Sequence, residues 1–182
     1  ARMPMGEETA VEFRTGQSVT LWPIEIADAR LSGPPPDVPN LSRYLPPHIQ
    51  VKGALRLRLK INGKLNFSNL QGLDQLPIYL PGEERIASHL FELIHTAAVA
   101  TITAVPGKVA QTMQVVAKDA VSHVGLDPDE NLLPLAWNSF LGTNLLHEYF
   151  ACPSRFLFFS LNHLAQGLSH IDGQEVEIIV LL

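Results

Sequence analysis

The chain has one cysteine, Cys152, in 182 residues, which excludes an internal disulfide and allows a reducing compartment. It has little charge. Asp, Glu, Lys and Arg make up 17% of the residues, against about 25% in an average globular domain. Basic residues are in deficit, with a formal net charge of −5. A non-specific nucleic-acid binder needs excess Lys and Arg to displace condensed counterions, so nucleic acid is not an expected partner. Nor does any apolar run approach the ~18 residues of a membrane-spanning helix; the longest, 97–105, carries two threonines. Membrane insertion is therefore not expected, and no signal peptide with a basic start and an apolar run is present.

Complete catalytic and metal-binding motifs are missing too. There is no Gly-x-Ser-x-Gly elbow, phosphate loop or Gly-x-Gly-x-x-Gly. Glu92 and His95 stand at i, i+3, a di-iron spacing that needs a second copy and two further glutamates. His147-Glu148 begins like a zinc-protease motif, but Ala151 stands where the second histidine is required. His163 and His170 are too far apart for one helical turn. Neither a metal nor a cofactor is expected, and the histidines read as solvated or structural. Cys152 with His147 forms a conceivable nucleophile pair. Its apolar neighbourhood disfavours thiolate, so Cys152 reads as a core residue. Two alternatives to a structural role are a Cys/His hydrolase and a small-ligand or saccharide-binding β-rich domain using Trp22 and Trp137. The first lacks a complete motif. In the second, Trp22 beside Pro23 reads as core.

What is present is β-rich patterning. In Leu55, Leu57, Leu59 and Ile61, alternating with Arg56, Arg58 and Lys60, period 2 puts the apolar side chains on one face and the cations on the other. The cations read as the wet face of an antiparallel sheet. They are also able to pair with Glu175 and Glu177 across strands, or to meet a partner subunit. Asn62-Gly63 signals a hairpin with a return strand over 64–70. Further strands are expected over 11–13, 19–26, 75–80, 99–105, 155–161 and 176–182. Residues 111–120 are ambiguous, with the β-branched Val115 and Val116 favouring strand. Prolines 34, 35, 36, 39, 46 and 47 make 33–48 a stiff connector, read as a surface loop.

Two helices are expected. The first covers 83–98, with Glu83 and Glu84 at its N-terminus and a stripe of Ile86, Leu90, Ile94 and Ala97, widened by Ala87, Phe91 and Ala98. The second covers 139–150, capped by Asn138 or Ser139 and ended by Pro153. Two helices among about eight strands give an α+β, mostly antiparallel domain over 1–182, with a sub-boundary near 106–110.

The segment 131–164 is dense in aromatics: Phe140, Tyr149, Phe150, Phe156, Phe158 and Phe159 lie within it. It reads as core, with Phe150, Phe156 and Phe158 mostly buried, and with Glu148 hydrogen-bonded if it is inside. The order Leu132-Leu133-Pro134, Ser139-Phe140-x-Gly142, Leu145-Leu146-x-Glu148-Tyr149-Phe150 and Phe156-Leu157-Phe158-Phe159 resembles the TssF family (VasA/ImpG) of type VI secretion baseplate subunits. The likeness extends to Phe13-Arg14-Thr15-Gly16, Val19 to Ile24, Ala29-Arg30-Leu31, Ala54 to Leu59, and Leu80-x-Gly82 with Leu90-Phe91-Glu92-Leu93. It departs at Leu135-Ala136-Trp137, Thr143-Asn144 and Cys152. Family members are several times longer, which makes this chain look like a central piece. The resemblance implies a structural part, not an enzyme: a baseplate wedge subunit that pairs with TssG, meets TssK, TssE and a second copy of itself, and supports contractile sheath assembly. It implies a cytoplasmic place, docked on the inner-membrane secretion complex.

Overall fold

The computed structural model describes residues 2–5, 9–12, 15–16, 19–38, 45–107, 112–133 and 140–182. Phe13, Arg14, Pro134, Trp137, Asn138 and Ser139 lie outside them. In chain order, β1 (Arg2–Met5) and β2 (Thr9–Glu12) pair with each other. Then come β3 (Ile24–Ser32), β4 (Ala54–Ile61), β5 (Leu76–Tyr79), α1 (Glu84–Ala97), β6 (Ala100–Ala104), β7 (Thr112–Val116) and β8 (Val121–His123). The chain ends with α2 (Leu141–Ala151), β9 (Phe158–Leu161), a short third helix α3 (Ala165–Ser169) and β10 (Glu175–Leu181). Among the described residues the fold is thus α+β, with sheets that are antiparallel throughout.

These elements form two compact units, Ala1–Trp22 with Gly125–Phe156, and Pro23–Val124 with Leu157–Leu182. The expected sub-boundary near 106–110 lies partly outside the described residues; the strands that flank it, β6 and β7, pair with each other in the second unit.

The larger unit rests on a five-stranded sheet in the order β3-β4-β10-β6-β7. One face of β4 carries Leu55, Leu57, Leu59 and Ile61, all buried. Burying each such side chain contributes about 1.5–3 kcal/mol. The other face is also covered. Ala54, Ala100, Ile102, Ala104, Ile179 and Leu181 pack with Val38 and Leu45 from the proline-rich segment. That segment is therefore not merely a surface loop: among its described residues, Val38 and Leu45 are buried against the second face of the sheet.

Asn62-Gly63 does not make a hairpin. Gly63 has φ 119°, but the chain runs into a 3-10 turn at Phe67–Asn69. The reason is that both flanks of β4 are taken, by β3 and β10. Phe67 is buried instead, its N–H donating to Gly173 O at 3.0 Å. In α1 the expected apolar face is covered, with Ala87 and Ile94 buried and Leu90, Phe91, Ala97 and Ala98 half-buried, except at Ile86, which is 64% exposed. Only Phe158 to Leu161 of the expected 155–161 strand pairs, in the sheet β5-β9-β8. There Phe159 is fully buried and Phe158 is half-buried, with its ring 4.9 Å from that of Tyr79.

Candidate partner interface

The cation row of β4 is set by strand register. Lys60 lies between Glu25 of β3 and Glu175 of β10, and Arg58 lies between Asp28 and Glu177. Each cation therefore has an acid on either side, the cross-strand arrangement that stabilises antiparallel pairs. Arg56 departs from the expected wet face, being only 7% exposed. Its guanidinium ion-pairs with both carboxylate oxygens of Asp37, one at 2.8 Å, and with Glu177 Oε1 at 3.2 Å. The bidentate geometry is the strong form of this contact. The bonded guanidinium holds the Asp37 carboxyl below its usual pKa. Arg56 thus clips the proline-rich segment to the sheet, and the row offers no free basic track. What remains open is β3, exposed along all but its first residue.

In the smaller unit the chemistry is inverted. Helix α2 buries Asn144 and Glu148, while Leu146, Tyr149 and Phe150 on the same helix are exposed at 58, 49 and 79%. Glu148 Oε1 accepts hydrogen bonds from the backbone N–H groups of Leu132 and Leu133, both at 2.9 Å. Glu148 Oε2 ion-pairs with Arg155 Nη1, and Arg155 Nη2 donates to Glu130 O. The expectation that Glu148, if inside, makes hydrogen bonds therefore describes the structure. The expectation of a buried Phe150 does not hold, nor does that of core positions for Phe140, 78% exposed, and Tyr149. The reason is the helix phase: α2 turns its carboxylate inward to organise the backbone before it, and residues one or two positions on face solvent. Phe156 is half-buried, beside Tyr149 at 5.7 Å and under the Arg155 guanidinium at 5.2 Å.

The remaining sequence candidates stay apart. Cys152 is exposed, not core, with its sulfur 3.6 Å from Ser154 Oγ. His147 is exposed as well. His95 does not meet Glu92 as a ligand pair. It stacks on His123, with ring centroids 3.6 Å apart and planes 9° from parallel, and meets Phe91 at 4.3 Å with the rings tilted by 59°. Burial, and secondarily the charge of His123, push the His95 pKa down to about 4. Among the described residues no three His, Cys, Asp or Glu side chains gather as metal ligands. A groove of about 480 Å³ is lined by Leu31, Leu93, Ala97, Val99 and Leu182, with Lys52 its one charged lining residue. Trp22 does not line it.

Sequence reasoning missed the Arg56–Asp37 clip and the histidine stack, both of which join residues far apart in the chain. The alternation of Glu175 and Glu177 with Val176 and Ile178 was the readable signal for the acid side of the charge rows.

Comparison with known proteins follows the same line. The profile of the family described as "Type VI secretion system, TssF" matches residues 1–182. The type VI secretion system component TssF1 of Pseudomonas aeruginosa PAO1 is 35% identical over 175 residues, 96% of this chain and 28% of that protein. A chain in the cryo-electron microscopy structure of the TssK-TssF-TssG baseplate subcomplex has a similar fold, with a TM-score of 0.70 and 22% identity, over 96% of this chain and 30% of that one. The chain therefore spans under a third of the length of these relatives. No helix among the described residues is long and apolar enough to cross a membrane.

Proposed function

Because the chain belongs to the TssF family of the type VI secretion system, we propose that it serves as a structural part of the baseplate wedge. In this reading it contributes to a complex with TssG-like and TssK-like subunits, contacts a TssE-like subunit, and supports contractile sheath assembly and effector secretion. Its place is the cytoplasm, docked to the inner-membrane secretion complex. It performs no catalysis. The observation that carries the reading is the family match over residues 1–182. The outward aromatic face of α2 supports it, because exposed apolar patches in soluble proteins commonly mark protein contacts.

The test is deletion of the gene, followed by imaging of a labelled sheath protein and assay of secreted effector. Loss of both, with normal growth and restoration by the gene in trans, is expected. Sheaths that still assemble and contract overturn the reading. A pull-down of co-expressed TssG-like protein checks the contact directly, with recovery of a stable complex as the expected result.

A further inference from the structure

The Asn62-Gly63 pair, which the fold does not use as a hairpin, is left as an open dipeptide at the end of β4. Asn62 is the only asparagine of the chain that is followed by glycine; the others precede Leu, Phe, Ser or His. Asn62, Gly63 and the next residue, Lys64, are all exposed. The chain is held on either side of the pair. Asn62 N–H donates to Pro23 O at 2.8 Å, and Gly63 O accepts from Gln174 Nε2 at 2.8 Å. Between these two anchors the groups are free: among the described residues neither the Asn62 side chain nor the Gly63 N–H has a hydrogen-bond partner. Gly63 keeps a φ of 119°, which glycine tolerates because it has no Cβ. A Cβ built there would meet no atom within 4 Å.

We propose that Asn62 is a modification site, deamidated in the folded protein with water as the only co-reactant. The nitrogen of Gly63 attacks Cγ of Asn62. The N–Cγ bond forms, the Cγ–Nδ2 bond breaks, and ammonia leaves with the proton of the Gly63 N–H. Water then opens the cyclic imide. Addition at Cγ gives aspartate; addition at the backbone carbonyl carbon gives isoaspartate, whose main chain runs through the former side chain and is one methylene longer. No electrons change hands. Glycine permits the attack because no side chain shields its nitrogen. The fold sets the consequence. The extra methylene falls between the two anchors, so isoaspartate displaces Gly63 O from Gln174. Gln174 is also bound to β4, its carbonyl accepting from Ile61 N–H at 2.8 Å, and it immediately precedes β10. An aged chain therefore loosens where the central strand of the sheet begins.

The inference rests on this loop alone, not on the baseplate role, and is tested on the purified protein. The protein is aged in mildly alkaline buffer, folded and in urea, and digested with trypsin. Cleavage after Lys60 and Lys64 isolates a peptide in which Asn62 is the only amide side chain. Its mass is expected to rise by one unit in the folded sample, at a rate within about tenfold of that in urea, because an exposed, unbonded loop needs little opening to react. Isomerisation at Asp172-Gly173 adds no mass and so is not mistaken for it. Gly63→Ala sets a Cβ beside the attacking nitrogen and is expected to slow the gain about tenfold or more. If that variant fails to fold, Asn62→Gln replaces it, because the longer side chain closes a less favourable ring; the gain should again nearly vanish. The isoaspartate form, separated by ion exchange, is expected to melt below fresh protein, whereas Asn62→Asp, which adds the charge without the methylene, should melt close to it. An Asn62 that reacts in urea but stays intact in the folded protein, a mass gain that falls first on another asparagine, or an isoaspartate form that melts like fresh protein overturns the proposal.

Discussion

In the larger unit apolar side chains go inward; in the smaller unit α2 turns a carboxylate inward and shows aromatic rings to solvent. The first arrangement is an ordinary sheet core, stabilised by burial of Leu and Ile on one face of β4 and of Ile, Val and Leu on both faces of β10. The second is organised by one ion pair. Glu148 holds the amides of Leu132 and Leu133 and the Arg155 guanidinium, so it supplies bonding partners to a stretch that has no strand or helix to supply them. The difference teaches that aromatic density in a sequence does not by itself locate a core. It marks surfaces that need cover, whether from the same fold or from another chain.

The sharpest way to break this contrast is to delete one anchor from each unit. Phe159→Ala in β9 is expected to cost about 3–5 kcal/mol, the usual loss for a buried phenylalanine. Glu148→Ala is expected to cost a similar amount, about 3–5 kcal/mol, but by another route: it strands the Arg155 charge and two amides. Glu148→Gln keeps an acceptor for the amides and should lose less. Urea denaturation measures both losses. Hydrogen exchange at the Leu132 and Leu133 amides separates them, because Glu148→Ala should release those amides while Phe159→Ala leaves their local protection in place. Equal protection in parent and Glu148→Ala would remove the ion pair from its organising role.

A smaller effect comes from pH. His95 has its pKa lowered to about 4 in the fold, against about 6.5 in an unfolded chain. Between those values the unfolded chain binds more protons, so stability falls as the pH drops from about 6.5 toward 4 and is flat above 7. The ring is partly exposed, so the loss is expected to be on the order of 1 kcal/mol, well below the full value of the shift. Comparing denaturant midpoints at pH 7 and 5 for the parent and His95→Ala checks it; the variant should show the shallower slope. The smallest effect on stability is expected for Phe150→Ala, within about 0.5 kcal/mol, because the ring is on the surface. The same change should weaken binding of a TssG-like partner in a pull-down. A stability loss of several kcal/mol from Phe150→Ala would return that ring to the core and erase the contrast.

Much of the larger unit was legible. The alternation of β4, the extent of α1 and the final strand all follow from local pattern and local breakers. Partners were not legible. The Asn62-Gly63 signal is genuine turn chemistry, and Gly63 does take a positive φ. Which strand lies beside β4, however, was decided by β10, more than a hundred residues away, whose apolar side chains bury both faces at once. Cys152 and Phe150 were misplaced for a related reason. Apolar neighbours in sequence were taken as neighbours in space, whereas α2 is phased by Glu148. At the candidate interface, the cations and acids were readable one by one. Which acids lie beside which cations required register, and the irregularity between Ile26 and Asp28 left no sequence mark.

The position of β10 has a consequence for synthesis. It lies between β4 and β6, yet it follows every other strand of that sheet in the chain. Until it emerges from the ribosome, β4 and β6 lack the neighbour that joins them, and the β3-β4 and β6-β7 pairs wait as separate ribbons with open flanks. Sheets closed by such distant pairing fold slowly, on the order of milliseconds to seconds, and their waiting edges invite wrong contacts. A nascent chain of this design needs protection until β10 arrives to join this sheet, so its yield in the cell should depend on chaperone supply more than its final stability implies.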